Sequence, residues 1–129
     1  MTMKELHIQG GQSTPEILAD WEQGVLAMRG DSYPENSFEF FADVIQWLED
    51  YLGQHQRPLR LELRLVYMNT SSVKAMMDIF DLCEEAFGKG RDVRVAWYYD
   101  PRNDRVFDLA EEFKEDCSFP FEILADGGA

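Results

Sequence analysis

Leu59-Arg60-Leu61-Glu62-Leu63-Arg64-Leu65-Val66-Tyr67-Met68-Asn69-Thr70-Ser71-Ser72-Val73-Lys74-Ala75-Met76-Met77-Asp78-Ile79-Phe80 is the stretch that decides the fold. Leu59, Leu61, Leu63 and Leu65 alternate with Arg60, Glu62 and Arg64. A period of two marks a strand with one buried face. From Val73 the step changes. Val73, Met76, Phe80, Cys83 and Phe87 recur every three or four residues, the apolar stripe of a helix. Gly88 and Gly90 read as its stop, in the manner of a left-handed cap.

Between the two lies a polar turn that places an amide and three hydroxyls at a helix N-terminus. Unpaired N–H groups point outward there and the helix dipole is positive. Asn69, Thr70 and Ser71 are all good capping types. The nearest charge is Lys74, and the first carboxylate comes only at Asp78. An anion added to this turn would meet donors and a lysine. The turn therefore suits a phosphorylatable hydroxyl. Plain helix capping uses the same residues, and these positions alone do not separate the two.

Outward from this unit the chain continues the same alternation. Val93, Val95, Trp97 and Tyr99 form another period-two strand. Asp100-Pro101 reads as a cap with a first-turn proline, opening a helix with Val106, Leu109, Ala110 and Phe113 inward. Its acids, Asp108, Glu111, Glu112, Glu115 and Asp116, read as a solvated face. Phe119 to Leu124 reads as a last strand, with 126–129 fraying. On the other side, Pro34 and Glu35 read as the start of a helix with Phe38, Phe41, Ile45, Leu48 and Leu52 in one stripe. Phe40, Val44, Trp47 and Tyr51 widen that stripe, and Gly53 ends it. His55 reads as a solvated residue in the connector that follows. Earlier still, Glu16–Trp21 and Val25–Arg29 read as a hairpin about Gly24, after a short strand Leu6-His7-Ile8. The order is β, β-hairpin, α, β, α, β, α, β. That predicts one α/β domain over residues 1–129, with a mixed sheet, an N-terminal antiparallel part and three helices mainly on one face. Arg60, Glu62, Arg64 and Arg94 fall on the opposite, open face.

Composition narrows the function. The chain has 129 residues, 45% apolar, with 25 acidic and 12 basic side chains and a formal charge of −13. Such a surface repels phosphate backbones and anionic lipid, so it argues against nucleic-acid or membrane binding. No apolar run approaches the ~18 residues of a membrane span, and none near Met1 reads as a signal segment. Two cysteines make no disulfide framework, so a reduced, cytoplasmic setting is the simplest expectation. His7 has no second ligand at metal spacing. The chain carries no Gly-x-Ser-x-Gly elbow, Gly-rich phosphate loop or His-Glu-x-x-His motif. Glu84-Glu85 and Glu111-Glu112 point to different sides of their helices, and Cys83 sits on a buried stripe. A non-enzymatic protein without cofactor is therefore expected.

Four blocks together resemble the SiaC family of bacterial regulatory phosphoproteins. They are Gln12-Ser13-Thr14-Pro15, then Gly30 to Ser37, then Tyr67 to Leu82, and finally Glu111 to Phe121. The blocks are long, in order and span nearly the whole chain. The resemblance implies a fold like the STAS domain of anti-sigma-factor antagonists, and a protein that works by partner switching. It implies that a dedicated kinase phosphorylates Thr70 and a PP2C-type phosphatase removes the phosphate. It further implies that the unmodified form binds a GGDEF diguanylate cyclase and promotes cyclic-di-GMP synthesis, aggregation and biofilm. Around Thr70, proximity nominates Met68, Asn69, Ser71, Lys74 and Met77 for partner binding. The alternative with the same turn is an antagonist of an anti-sigma factor, acting on transcription. A module binding a small molecule on its aromatic helix face is the third reading.

Overall fold

The computed structural model describes residues 5–54 and 56–126. The expectations for the first residues, for His55 and for 127–129 fall outside them. Nine elements follow in order: β1 (Glu5–Ile8), β2 (Glu16–Asp20), β3 (Val25–Ser32), α1 (Ser37–Gln54), β4 (Leu59–Met68), α2 (Thr70–Gly88), β5 (Val93–Tyr99), α3 (Asp104–Glu115) and β6 (Phe121–Ala125). The six strands lie side by side in chain order. β1, β2 and β3 pair antiparallel. β3 to β6 pair parallel, each step crossing over through a helix. This is the mixed sheet that the alternation predicts.

All three helices lie on one face. The inward side chains of β4 (Leu59, Leu61, Leu63, Leu65) share one core with Phe41 and Leu48 of α1, Met76 and Ile79 of α2, and Val106 and Ala110 of α3. Each large apolar side chain fully buried in this way contributes about 1.5–3 kcal/mol. Aromatic rings fasten the far side. Phe80 of α2 meets Phe113 of α3 at 5.0 Å, and Phe113 lies on Trp97 of β5 at 5.7 Å. The opposite sheet face stays open, and its charges pair with one another. Arg60 reaches Glu62 at 3.1 Å, while Arg64 reaches Asp126 at 3.3 Å and lies 4.2 Å from the centre of the Tyr98 ring.

Several local expectations are corrected. Helix α1 opens at Ser37, not at Pro34, because Asn36 caps it. The Asn36 carbonyl accepts from Phe40 N–H, and its Oδ1 accepts from Glu39 N–H. Phe38 is not in the buried stripe. It lies six residues before Val44, which turns it about 120° away from the inward arc, and it is 87% exposed. Gly53 does not end the helix, which continues to Gln54. Asp100 and Pro101 do not begin α3. Asn103 is its cap, accepting from Val106 N–H at 3.2 Å, while Asp100 folds onto the backbone and guanidinium of Arg102. At the end of α2, Gly88 stays helical, and Gly90 alone takes positive φ (+98°).

Candidate functional site

β3 and β4 are parallel neighbours, so the segments leaving their carboxyl ends lie side by side. Such ends are where open α/β sheets place their sites. A register shift sets the geometry. Gly30 stands opposite Leu65, but Ser32 stands opposite Met68: two steps on β3 against three on β4. The extra residue breaks the alternation of β4, as a bulge does. Val66 and Tyr67 therefore both face outward, the latter 52% exposed, while Met68 returns toward the core.

The turn after β4 is built by Asn69. Its backbone is extended (φ −77°, ψ 173°), and its Oδ1 accepts from Ser72 N–H at 2.9 Å, the geometry of a helix cap. Its own N–H donates to the Ser32 carbonyl at 3.0 Å, and its Nδ2 reaches the Pro34 carbonyl at 3.5 Å. The cap thus ties α2 to the β3–α1 segment. With Ser72 N–H taken, the amides of Thr70 and Ser71 are the open donors of the first turn among the described residues. No acidic residue occupies that turn.

Three hydroxyls close the junction beneath. Ser72 Oγ lies 2.8 Å from Ser32 Oγ and 3.3 Å from Ser37 Oγ, and all three residues are buried. Ser37 Oγ also meets Ser71 Oγ at 2.8 Å. These bonds join the end of β3, the start of α1 and the start of α2.

The residues nominated from sequence divide accordingly. Thr70 is the first residue of α2 and exposed, and among the described residues its side chain makes no hydrogen bond. Lys74 is exposed four residues on, hence on the same helix face. Asn69 is the cap, and Ser71 is exposed but engaged with Ser37 and Asn69. Met68 is half-buried against the core. Met77 is 50% exposed two turns further on, beside a small cleft that includes Phe80, Phe113 and Cys117. Ser32 and Ser37 were missed, although both lie in the Gly30–Ser37 block. Their signal was the parallel pairing of β3 with β4, which sets the two loops together.

The remaining chemistry is quiet. Burial pushes the Cys83 thiol up to about 12 and that of Cys117 up to about 11, so neither is an activated nucleophile. Among the described residues no group of His, Cys, Asp and Glu is placed to hold a metal ion, and no helix is long and apolar enough to cross a membrane.

Residues 8–126 match the family model of the SiaC family regulatory phosphoproteins. The chain belongs to the SiaC family. An uncharacterized protein of Pseudomonas aeruginosa (strain UCBPP-PA14) is 63% identical over 123 residues, covering 95% of this chain and 98% of that one. The crystal structure of apo-SiaC from Pseudomonas aeruginosa superposes with a TM-score of 0.92 at 63% identity, over 95% of this chain and 100% of that one. A second SiaC structure, solved with the diguanylate cyclase SiaD that SiaC activates, gives a TM-score of 0.91 at 64% identity. It covers 93% of this chain and 98% of that one. The mixed sheet with one helical layer is thus the SiaC fold.

Proposed function

We propose that this SiaC family member is a phosphorylation-switched, non-enzymatic activator of a GGDEF diguanylate cyclase, acting in the cytoplasm. Its unmodified form binds the cyclase, raises cyclic-di-GMP and favours aggregation and biofilm. A cognate kinase phosphorylates Thr70, and a PP2C-type phosphatase reverses the modification. The observation that carries this reading is the relative of 64% identity solved with the cyclase it activates. The position of Thr70 supports the switch: the side chain is exposed and free of hydrogen bonds among the described residues.

The physics of the switch is local. A phosphate on Thr70 adds about −1.5 to −2 charges and three acceptors at neutral pH. The open amides of Thr70 and Ser71 and the ammonium of Lys74 can receive it, so the domain stays folded. Any partner lying over the turn meets a dianion that it must desolvate. A loss of only about 2–3 kcal/mol weakens a complex roughly 30- to 150-fold.

The test is cyclase activity with purified components. Thr70→Ala is expected to activate like the unmodified protein and to stay active in the presence of kinase. Protein phosphorylated at Thr70 is expected to bind weakly, and Thr70→Asp to mimic it in part. Equal activation by Thr70→Ala and the phosphorylated protein would refute the switch. Recovery of an anti-sigma factor and no cyclase in a pull-down would overturn the choice of partner.

A further inference from the structure

Three hydroxyl residues, Thr70, Ser71 and Ser72, open α2 in succession. Ser72 is fully buried, while Thr70 and Ser71 are both exposed. Exposure alone therefore does not choose between the last two. Their hydroxyls are in different states. The Thr70 side chain makes no hydrogen bond among the described residues. Ser71 Oγ lies 2.8 Å from Ser37 Oγ and 3.3 Å from Asn69 Oδ1.

The direction of these bonds follows from where they end. Asn69 Oδ1 accepts from Ser72 N–H, and Nδ2 is turned to the Pro34 carbonyl, which fixes the amide orientation. A carbonyl oxygen only accepts, and a hydroxyl has one proton to give. The Ser71 proton goes to Asn69, so Ser37 is the donor in the 2.8 Å bond to Ser71. Ser72 then donates to Ser37 at 3.3 Å, and Ser32 donates to Ser72 at 2.8 Å. The result is a directed chain, Ser32 to Ser72 to Ser37 to Ser71 to Asn69, whose members polarise one another. Ser37, only 3% exposed, is the link that holds Ser71.

We propose that Ser37 is a specificity-determining residue for phosphorylation: by holding the Ser71 hydroxyl it leaves Thr70 as the reactive acceptor. This rests on the phosphorylation switch at Thr70 and adds what selects that residue over its neighbour. In the transfer, the hydroxyl oxygen bonds to the γ-phosphorus of a nucleoside triphosphate. The bond from that phosphorus to the bridging oxygen breaks, the nucleoside diphosphate leaves, and the hydroxyl proton passes to a base of the kinase. The acceptor must offer a proton to that base and a lone pair to phosphorus. Thr70 has both to offer. Ser71 has given its proton to Asn69 and a lone pair to Ser37. Breaking both bonds first holds Ser71 back roughly 5- to 150-fold. Ser37 and Ser71 lie 34 residues apart, so the selection is made by the fold.

The test is phosphorylation of the purified full chain by its kinase with magnesium ATP, each position followed over time by peptide mass spectrometry. The wild type is expected to take phosphate at Thr70, and Thr70→Ser to take it at the same position. Thr70→Ala is expected to take phosphate at Ser71 at least about fivefold more slowly than the wild type does at Thr70. Adding Ser37→Ala to Thr70→Ala is expected to speed modification of Ser71 about 2- to 10-fold, one hydrogen bond having been removed. Ser37→Cys keeps the side-chain volume with a much weaker donor, and is expected to act in the same direction. It carries the test where the alanine variant melts early. Modification of Ser71 in Thr70→Ala as fast as that of Thr70 in the wild type overturns the proposal. So does a Ser71 that neither Ser37 variant speeds. Both results leave the switch at Thr70 standing. Absence of phosphate from wild-type Thr70 overturns the switch, and the proposal with it.

Discussion

Ser72→Ala separates the scaffold of the site from its switch. Ser72 Oγ sits between Ser32 and Ser37, and its removal leaves the buried Ser32 hydroxyl without its side-chain partner. An orphaned buried hydroxyl costs about 1–3 kcal/mol. Alanine returns roughly 0.5 kcal/mol through its better helix propensity. The Asn69 cap is retained, because it is the backbone N–H of residue 72 that donates to it. The net expectation is a loss of about 1–2 kcal/mol. At about 2.1 cal/mol/K per residue, unfolding of a chain this long carries roughly 0.27 kcal/mol/K, so the melting temperature falls by about 4–7 °C. Thr70→Ala, two residues away on the exposed side, is expected to stay within about 0.5 kcal/mol of wild type. Thermal and urea unfolding followed by circular dichroism measure both. Ser72→Ala melting with the wild type would show that the hydroxyl junction carries no stability. A large loss in Thr70→Ala would show that the switch residue is also a structural one. Either result refutes the division drawn here.

Gly24→Ala should be more damaging than an ordinary turn substitution. Gly24 has φ +69°, and an added Cβ would collide with the Tyr51 hydroxyl and the Pro58 carbonyl, which are hydrogen-bonded at 2.8 Å. A loss of about 2–4 kcal/mol in urea unfolding is expected from strain and overpacking together. The thiols should be inert in the folded protein. With Cys83 near 12 and Cys117 near 11, only about one in a thousand or fewer is thiolate at pH 8. Labelling by a disulfide reagent should therefore be slow until urea is added, and rapid native labelling of Cys83 would contradict its burial. The hydrogen bonds from Arg102 hold Asp100 down at about 2. Because the folded value lies below the unfolded one, its stabilising effect is full above the ordinary aspartate range. It is lost as pH falls through about 2. Titration by NMR should show this, with Arg102→Ala moving Asp100 back toward ordinary aspartate behaviour.

The order of elements, the mixed sheet and the buried leucines of β4 were legible in the chain, because burial on one face imposes a period that can be counted. So was the turn at Asn69, because capping needs a short polar side chain at one position relative to a helix. The departures have physical causes that act beyond the local pattern. Pro34 and Asp100 were misplaced because each competes with a nearby residue for the helix start, a contest that backbone hydrogen bonds settle. Asn36 and Asn103 win it. Phe38 was misplaced because it lies about 120° round α1 from the inward arc. The outward turn of Tyr67 is not legible in the chain, because a bulge shows only when the register against β3 is known.

What the sequence by itself determined is therefore the layered fold, the helix N-terminus carrying Thr70 and, through its resemblance, the family. These depend on local propensity and periodicity, which act between residues close in the chain. Only the tertiary structure decided that Ser32, Ser37 and Ser72 share one hydroxyl junction, and that Tyr33 meets Tyr67 beside it. Those groups lie up to 40 residues apart. They meet because β3 and β4 run parallel and side by side, and strand pairing is a long-range choice that no local pattern records.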